Sequence, residues 1–231
     1  FILAAQAIAA HGWDNRNAAI NPMMVEGKKT VSFEIAEALG WHVPDWVVVS
    51  VGDGCTIAGV AKGFWELERI GVIPRRPKIL GVQAEGANAI SSAFREGADH
   101  GQVPPGGTDT FADSIAVAVP RNPHKAIRAV RRSGGTMIDV SDEAIGRAML
   151  RLGRSCGVFA EPAAAAGLAG LVAAAECGIV APHETACVIV TGNGLKDVAS
   201  GARVAGEPID VRPDLSELER RLAEVAPEVM R

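Results

Sequence analysis

The sequence predicts an α/β fold, an open and mostly parallel twisted sheet flanked by helices, on three observations. Between residues 46 and 197, short apolar runs alternate with helix-patterned segments. The clearest run, WVVVSV at 46–51, is almost continuously apolar and β-branched, the pattern of a strand buried on both faces. With 48% hydrophobic and 22% charged residues, a chain of 231 residues has ample material for a packed core.

Taken in order, residues 1–11 are Ala-rich and end at Gly12, reading as a helix. Residues 13–27 read as loop. A helical period over 30–39 stops at Gly40, and Pro44 and Asp45 break the chain before the 46–51 strand. Gly52 and Gly54 follow, then a helix from about 56 to 70. A strand at 78–85, a helix at 87–96, a strand at 114–119 (SIAVAV), a helix at 123–132 and a strand at 136–140 come in turn. Ser141 is placed as an N-cap, with Asp142 and Glu143 in the first turn of a helix reaching about 156. Pro162 suits the first turn of a helix over 162–177. The last apolar run, ACVIVT at 186–191, reads as a strand that opens into the loop GNGLKD. The stretch 97–112, rich in Gly, Pro and Thr, reads as a mobile loop. Strands stop beyond 204, and 215–226 reads as a surface helix.

Composition excludes several functions. The net charge is -4, the isoelectric point is about 5.8, and the basic pairs Lys28/Lys29, Arg75/Arg76 and Arg131/Arg132 are scattered, so no field draws nucleic acid. Cys55, Cys156, Cys177 and Cys187 are far apart, with no CxxC pair and no histidine at ligand spacing, which argues against a zinc site or a disulfide framework and for a reducing cytoplasm. No apolar run approaches the roughly 18 to 20 residues of a membrane helix, and the first residues lack the pattern of a signal peptide. The chain opens at Phe1 inside a helical pattern, which predicts further sequence upstream.

In an open parallel sheet, ligands bind beyond the carboxyl ends of the strands, so the loops leaving the apolar runs are the places to look. Gly52, Asp53, Gly54, Cys55 and Thr56 lie between a strand and a helix; small residues there allow close approach, and amides at a helix start point at an anion. A plain strand-to-helix turn needing glycine explains the same residues. Thr191 to Asp197 is the second rich loop. A threonine hydroxyl at a strand end donates to the ring nitrogen of a bound cofactor, or simply caps a helix. Lys62 reads as a solvated or structural helix residue. Glu161 either faces a cleft or places charge at a helix N-terminus, and Glu26 and Lys28 either line a cleft or cap the next helix. His11, His42, His100, His124 and His183 read as surface residues. A mononucleotide site is disfavoured, because no acidic residue stands in a convincing place after the first glycine loop to hold a ribose.

Six ordered blocks carry a more specific signal: NPMMVEGKKTVSFEIAEALGW (21–41), VGDGCTIAGVAKGF (51–64), VQAEGANAI (82–90), ADSIAVAVPRNPHKAIRAVRRSGG (112–135), GVFAEPAAAAGLAGL (157–171) and VTGNGLKD (190–197). Over roughly residues 1–200 the chain resembles the later part of threonine synthases and their relatives in the fold type II (tryptophan synthase β) family of pyridoxal-phosphate enzymes. The resemblance implies a cofactor-binding α/β region over 1–204, lacking the N-terminal part of the family fold, and a C-terminal extension with a surface helix over 205–231. It implies pyridoxal 5′-phosphate as cofactor, with the phosphate at Gly52, Asp53, Gly54, Cys55 and Thr56 and the pyridine nitrogen at Thr191. The family loop carries more glycine and often an asparagine, so Asp53 and Cys55 depart from it; the Asp53 carboxylate is expected to point away from the phosphate.

In the family, the Schiff-base lysine stands in a motif like SFKDR, followed by an SSGN-type loop for the substrate carboxylate. Neither occurs here, and the lysines at 28, 29, 62, 78, 125 and 196 all fall in other blocks. No catalytic residue is therefore expected in this chain, and the Schiff-base lysine is expected upstream. The activity implied for the whole protein is that of a lyase making threonine and phosphate from O-phosphohomoserine and water, acting as a cytoplasmic homodimer, or with this chain pairing with the missing N-terminal part. Another amino-acid lyase of the family (threonine or serine dehydratase, diaminopropionate ammonia-lyase, cysteate synthase) and a non-catalytic binding module remain as alternatives.

Overall fold

The computed structural model describes residues 2–18, 20–98 and 103–225. Helices α1 (Ile2–His11), α2 (Pro22–Lys28) and α3 (Thr30–Ala38) precede strand β1 (Trp46–Ser50), which is followed by α4 (Cys55–Arg69), β2 (Lys78–Ala84), α5 (Ala89–Arg95), α6 (Pro123–Arg132) and β3 (Thr136–Val140). Then come α7 (Asp142–Cys156), α8 (Pro162–Glu176), β4 (Ala186–Val188), α9 (Val198–Ala205) and α10 (Leu215–Val225).

Among the described residues the four strands form one sheet in the order β3-β2-β1-β4, parallel throughout. Trp46 pairs with both Lys78 and Ala186, so β2 and β4 flank β1 from its first residue. Parallel strands must be covered on both faces. Accordingly Trp46 and Val48 join Leu80, Val82 and the buried alanines of α8, while Val47, Val49 and Val51 join Ile57, Val60 and Phe64 of α4 and Ile127 and Val130 of α6. Val47, Val48 and Val49 are fully buried, each contributing roughly 1.5–3 kcal/mol of apolar burial as an upper bound. Because every strand runs the same way, the loops after β1 and β4 leave at one edge of the sheet.

The local signals explain most boundaries. Ser141 caps α7 through Ala144 N–H, and Pro162 opens α8. Three expectations are corrected. Residues 114–119 form no strand: Asp113–Ile115 is a single 3₁₀ turn held by local bonds such as Ala116 N–H to Asp113 O. Ile115 is buried whereas Val119 is 53% exposed, so the run carries no period of two, and Pro120 stops it. Residues 13–27 are not all loop: Asn21 accepts from Met23 N–H with Pro22 at the first helical position, and α2 follows. The strand over 186–191 ends at Val188, and α9 lies beyond the GNGLKD loop, where Asp197 accepts from Ser200 N–H. Part of 97–112, with His100, lies outside the described residues, as do residues 1 and 226.

Candidate functional site

A cavity of about 350 Å³ opens where the carboxyl ends of β1 and β4 meet the start of α4. Gly52, Asp53, Gly54, Cys55, Thr56 and Thr191 all line it, so the two loops singled out in the sequence converge on one space. Lys28, Ser50, Ser114, Glu161 and Lys196 complete the polar part of its wall.

The loop after β1 is anchored from below. Gln83, buried, donates through Nε2 to Val51 O at 3.1 Å and accepts from Ser91 N–H at 2.8 Å, tying the end of β1 to α5. Gly54 caps α4 with φ +86°, a left-handed conformation; a Cβ there would stand 2.7 Å from Asn122 O. This glycine therefore serves a tight contact with the start of α6 rather than approach to a ligand. Among the described residues, no hydrogen bond is donated by the backbone N–H groups of residues 53–57, which leaves a cluster of amides at the head of a helix of 15 residues. Such a cluster suits an anion.

Charge around these amides is distributed. Asp53 is tied to the segment before α6: its Oδ1 accepts from Arg121 N–H at 3.2 Å and lies 3.9 Å from the Arg121 guanidinium, and its carbonyl accepts from Asn122 N–H. Cys55 is buried; burial, and secondarily the Asp53 charge, push its thiol up from the usual range, and Asn122 Nδ2 donates to its Sγ at 3.1 Å. The thiol is thereby packed between the loop and the start of α6. Lys28 Nζ donates to Thr56 Oγ1 at 3.0 Å.

The second loop is held by an antiparallel bridge between Ala160 and Asn193, flanked by Glu161 N–H to Gly192 O at 3.0 Å and Gly194 N–H to Phe159 O at 2.8 Å. This pairing sets Glu161 against Gly192, and both Glu161 and Thr191 line the cavity. The Glu161 carboxylate makes no cap bond to α8; it is buried in the cavity wall, 3.0 Å from Lys196 Nζ and accepting from Ser114 Oγ at 3.3 Å. Lys196 Nζ also reaches Ser114 Oγ at 2.6 Å. Both readings of Glu161 hold: it is the N-cap residue of α8, and its carboxylate lines the cavity.

Ser50 escaped the sequence reading. It is the one polar residue in an otherwise apolar strand, which was the available signal. Its Oγ is buried and has no hydrogen-bond partner, although it lies in the wall of this cavity. Ser114 was hidden by the misread strand. Other candidates fall elsewhere: Glu26 and Lys62 pair with each other beside a second cavity of about 380 Å³ between α2, α4 and α6. Of the histidines, His11 stacks on Trp13 and His183 is exposed. Among the described residues no cluster of side chains suits a metal ion, and no helix is long and apolar enough to cross a membrane.

Comparison with known proteins gives the chemical context. The model of the pyridoxal-phosphate dependent enzyme family matches residues 2–192. The threonine synthase of Methanocaldococcus jannaschii is 42% identical over 206 residues, covering 89% of this chain and 51% of that protein. The threonine synthase of Methanosarcina acetivorans is 41% identical over 189 residues, covering 82% and 46%. The chain thus spans about half the length of these curated relatives. Among solved structures, threonine synthase from Escherichia coli superposes with a TM-score of 0.67 at 20% identity, over 94% of this chain and 48% of that one, which shows the shared fold.

Proposed function

The chain belongs to the pyridoxal-phosphate dependent enzyme family, and from that premise we propose that it is the cofactor-cradling part of a threonine synthase, the whole protein converting O-phosphohomoserine and water to threonine and phosphate. The observation that carries the reading is identity of 41–42% to proteins of that name over 82–89% of this chain.

The cavity fits the family's cofactor. The unengaged amides of residues 53–57 suit its phosphate, and the unpartnered Ser50 hydroxyl leaves a hydrogen bond to be made inside the same wall. In this reading Gly52, Asp53, Gly54, Cys55 and Thr56 hold the phosphate end, with Asp53 turned to Arg121, and the Thr191 hydroxyl meets the pyridine nitrogen. When bound, pyridoxal phosphate supplies an electron sink for negative charge at the substrate α-carbon. A neutral hydroxyl at the ring nitrogen leaves that sink milder than a carboxylate partner would. Glu161 and Lys196 set charge at the rim beside it.

The lysine that holds the cofactor aldehyde and moves the α-proton is assigned to a part of the whole protein outside this chain, since none of the six lysines stands in a block the family uses for it. We extend the proposal to a cytoplasmic homodimer. Four free cysteines support the compartment, and α1, which has no buried residue, supports an intermolecular contact.

Two assays test this. The whole protein should release phosphate from O-phosphohomoserine and form threonine; 2-oxobutyrate from threonine instead would make it a dehydratase. The 231-residue chain with pyridoxal phosphate should show no turnover, and borohydride reduction followed by peptide mass mapping should give no single stoichiometric adduct. One such adduct on Lys28, Lys29, Lys62 or Lys196 would overturn the assignment of the lysine elsewhere.

A further inference from the structure

We propose that Lys28 is the side-chain cation of the cofactor-phosphate subsite, an inference that rests on assigning this cavity to pyridoxal phosphate. Two adjacent lysines at the end of α2 meet different fates. Lys29 is taken up by carboxylates, its Nζ lying 3.0 Å from Glu26 and 2.8 Å from Glu66. Lys62 occupies the remaining oxygens of the same two glutamates. With those acids engaged, Lys28 has no ion-pair partner among the described residues. Its Nζ turns instead to the cavity and donates to Thr56 Oγ1 at 3.0 Å, in the first turn of α4.

An ammonium has three donors, and Thr56 satisfies one. Partial burial of a cation without a counter-charge is unfavourable. The one carboxylate of the 52–56 loop, Asp53, is bound to Arg121 and gives Lys28 no contact. A phosphate dianion at the amides of residues 53–57 supplies the missing counter-charge, and Lys28 in turn offsets the repulsion that Asp53 exerts on that dianion. The unpartnered Ser50 hydroxyl, 7% exposed and in the same wall, is a separate sign that this cavity is built around a polar ligand.

Pyridoxine 5′-phosphate and pyridoxine lack the aldehyde, so they report binding without a covalent step. Calorimetric titration of the 231-residue chain should show the phosphate ester bound about tenfold or more tightly than pyridoxine, the scale of one or two charge-assisted hydrogen bonds. Lys28→Met should lower affinity for the ester about tenfold and leave pyridoxine unchanged, while Lys28→Arg keeps most of the preference. Equal ester affinity in wild type and Lys28→Met, with wild type still preferring the ester, overturns the role of Lys28 alone. Loss of both ligands together in Lys28→Met places the residue in the packing of α2 and also overturns it. A wild type that does not distinguish the two ligands overturns the cofactor assignment of the cavity, and this inference with it.

Discussion

Glu161 and Lys196 form an asymmetric ion pair at the rim of the cavity: the carboxylate side chain is 7% exposed, the lysine side chain 61%, and Oε2 and Nζ are 3.0 Å apart. A buried charge with a solvated partner depends on that partner more than the partner depends on it. The same carboxylate lies against Gly192, where a Cβ would stand 2.3 Å from Oε1, so the loop carrying Thr191 is shaped around it.

Lys196→Met should therefore destabilise the chain by about 1–3 kcal/mol in urea unfolding, the cost of a buried group left without its partner. Glu161→Gln combined with Lys196→Met should recover most of that loss. A double variant no more stable than Lys196→Met would show that the lysine acts through its stem and not through the pair.

Gly54→Ala should cost more than about 1 kcal/mol, because the substitution adds left-handed strain and a clash 2.7 Å from the Asn122 carbonyl. Gly54→Val is worse for the same reason, so loss of ligand binding in it reports a damaged loop and not a blocked subsite. Chemical denaturation of the alanine variant measures this. An unchanged midpoint would contradict the contact with Asn122.

Ser50→Ala removes a buried hydroxyl that makes no hydrogen bond in the ligand-free chain. The ligand-free Tm should hold or rise, by up to about 1 kcal/mol of stability, since an unsatisfied group is lost. The rise in Tm produced by saturating pyridoxine 5′-phosphate should shrink. A lowered ligand-free Tm would mean that the hydroxyl has a partner within the fold.

Glu184 anchors the start of the sheet through Lys78 Nζ at 2.7 Å and Ala181 N–H at 2.8 Å, and these contacts, the lysine first, lower its pKa to about 2. A carboxylate with a depressed folded-state pKa stabilises the fold above its unfolded value, 4.5, and loses that contribution as pH falls towards about 2. Glu184→Gln should lower the Tm at neutral pH and flatten its decline over that acid window. Parallel Tm profiles for variant and wild type through the window would remove Glu184 from the acid transition.

The sequence by itself determined the class of fold and singled out the two loops that converge on one cavity, because both rest on local chemistry. The apolar run of β1, the glycines after it, Ser141 before α7 and Pro162 at α8 each act within a few residues, so periodicity and capping reveal them. It also placed Gly52 to Thr56 and Thr191 at strand ends, where an open parallel sheet presents its loops. Tertiary structure decided the rest. The run 114–119 has the composition of a strand, yet no edge of the sheet receives it, and Ser114 is used at the cavity instead. Lys28 and Lys29 are identical in sequence terms; only the positions of Glu26, Glu66 and Thr56 in space send one into ion pairs and the other towards the amides of α4. Glu161 stands at the head of α8, and only the bridge from Ala160 to Asn193 and the contact with Lys196 put its carboxylate in the cavity wall as well. Long-range pairing leaves no periodic trace in the chain, and for that reason the charges of the site, unlike its glycines, became legible only in three dimensions.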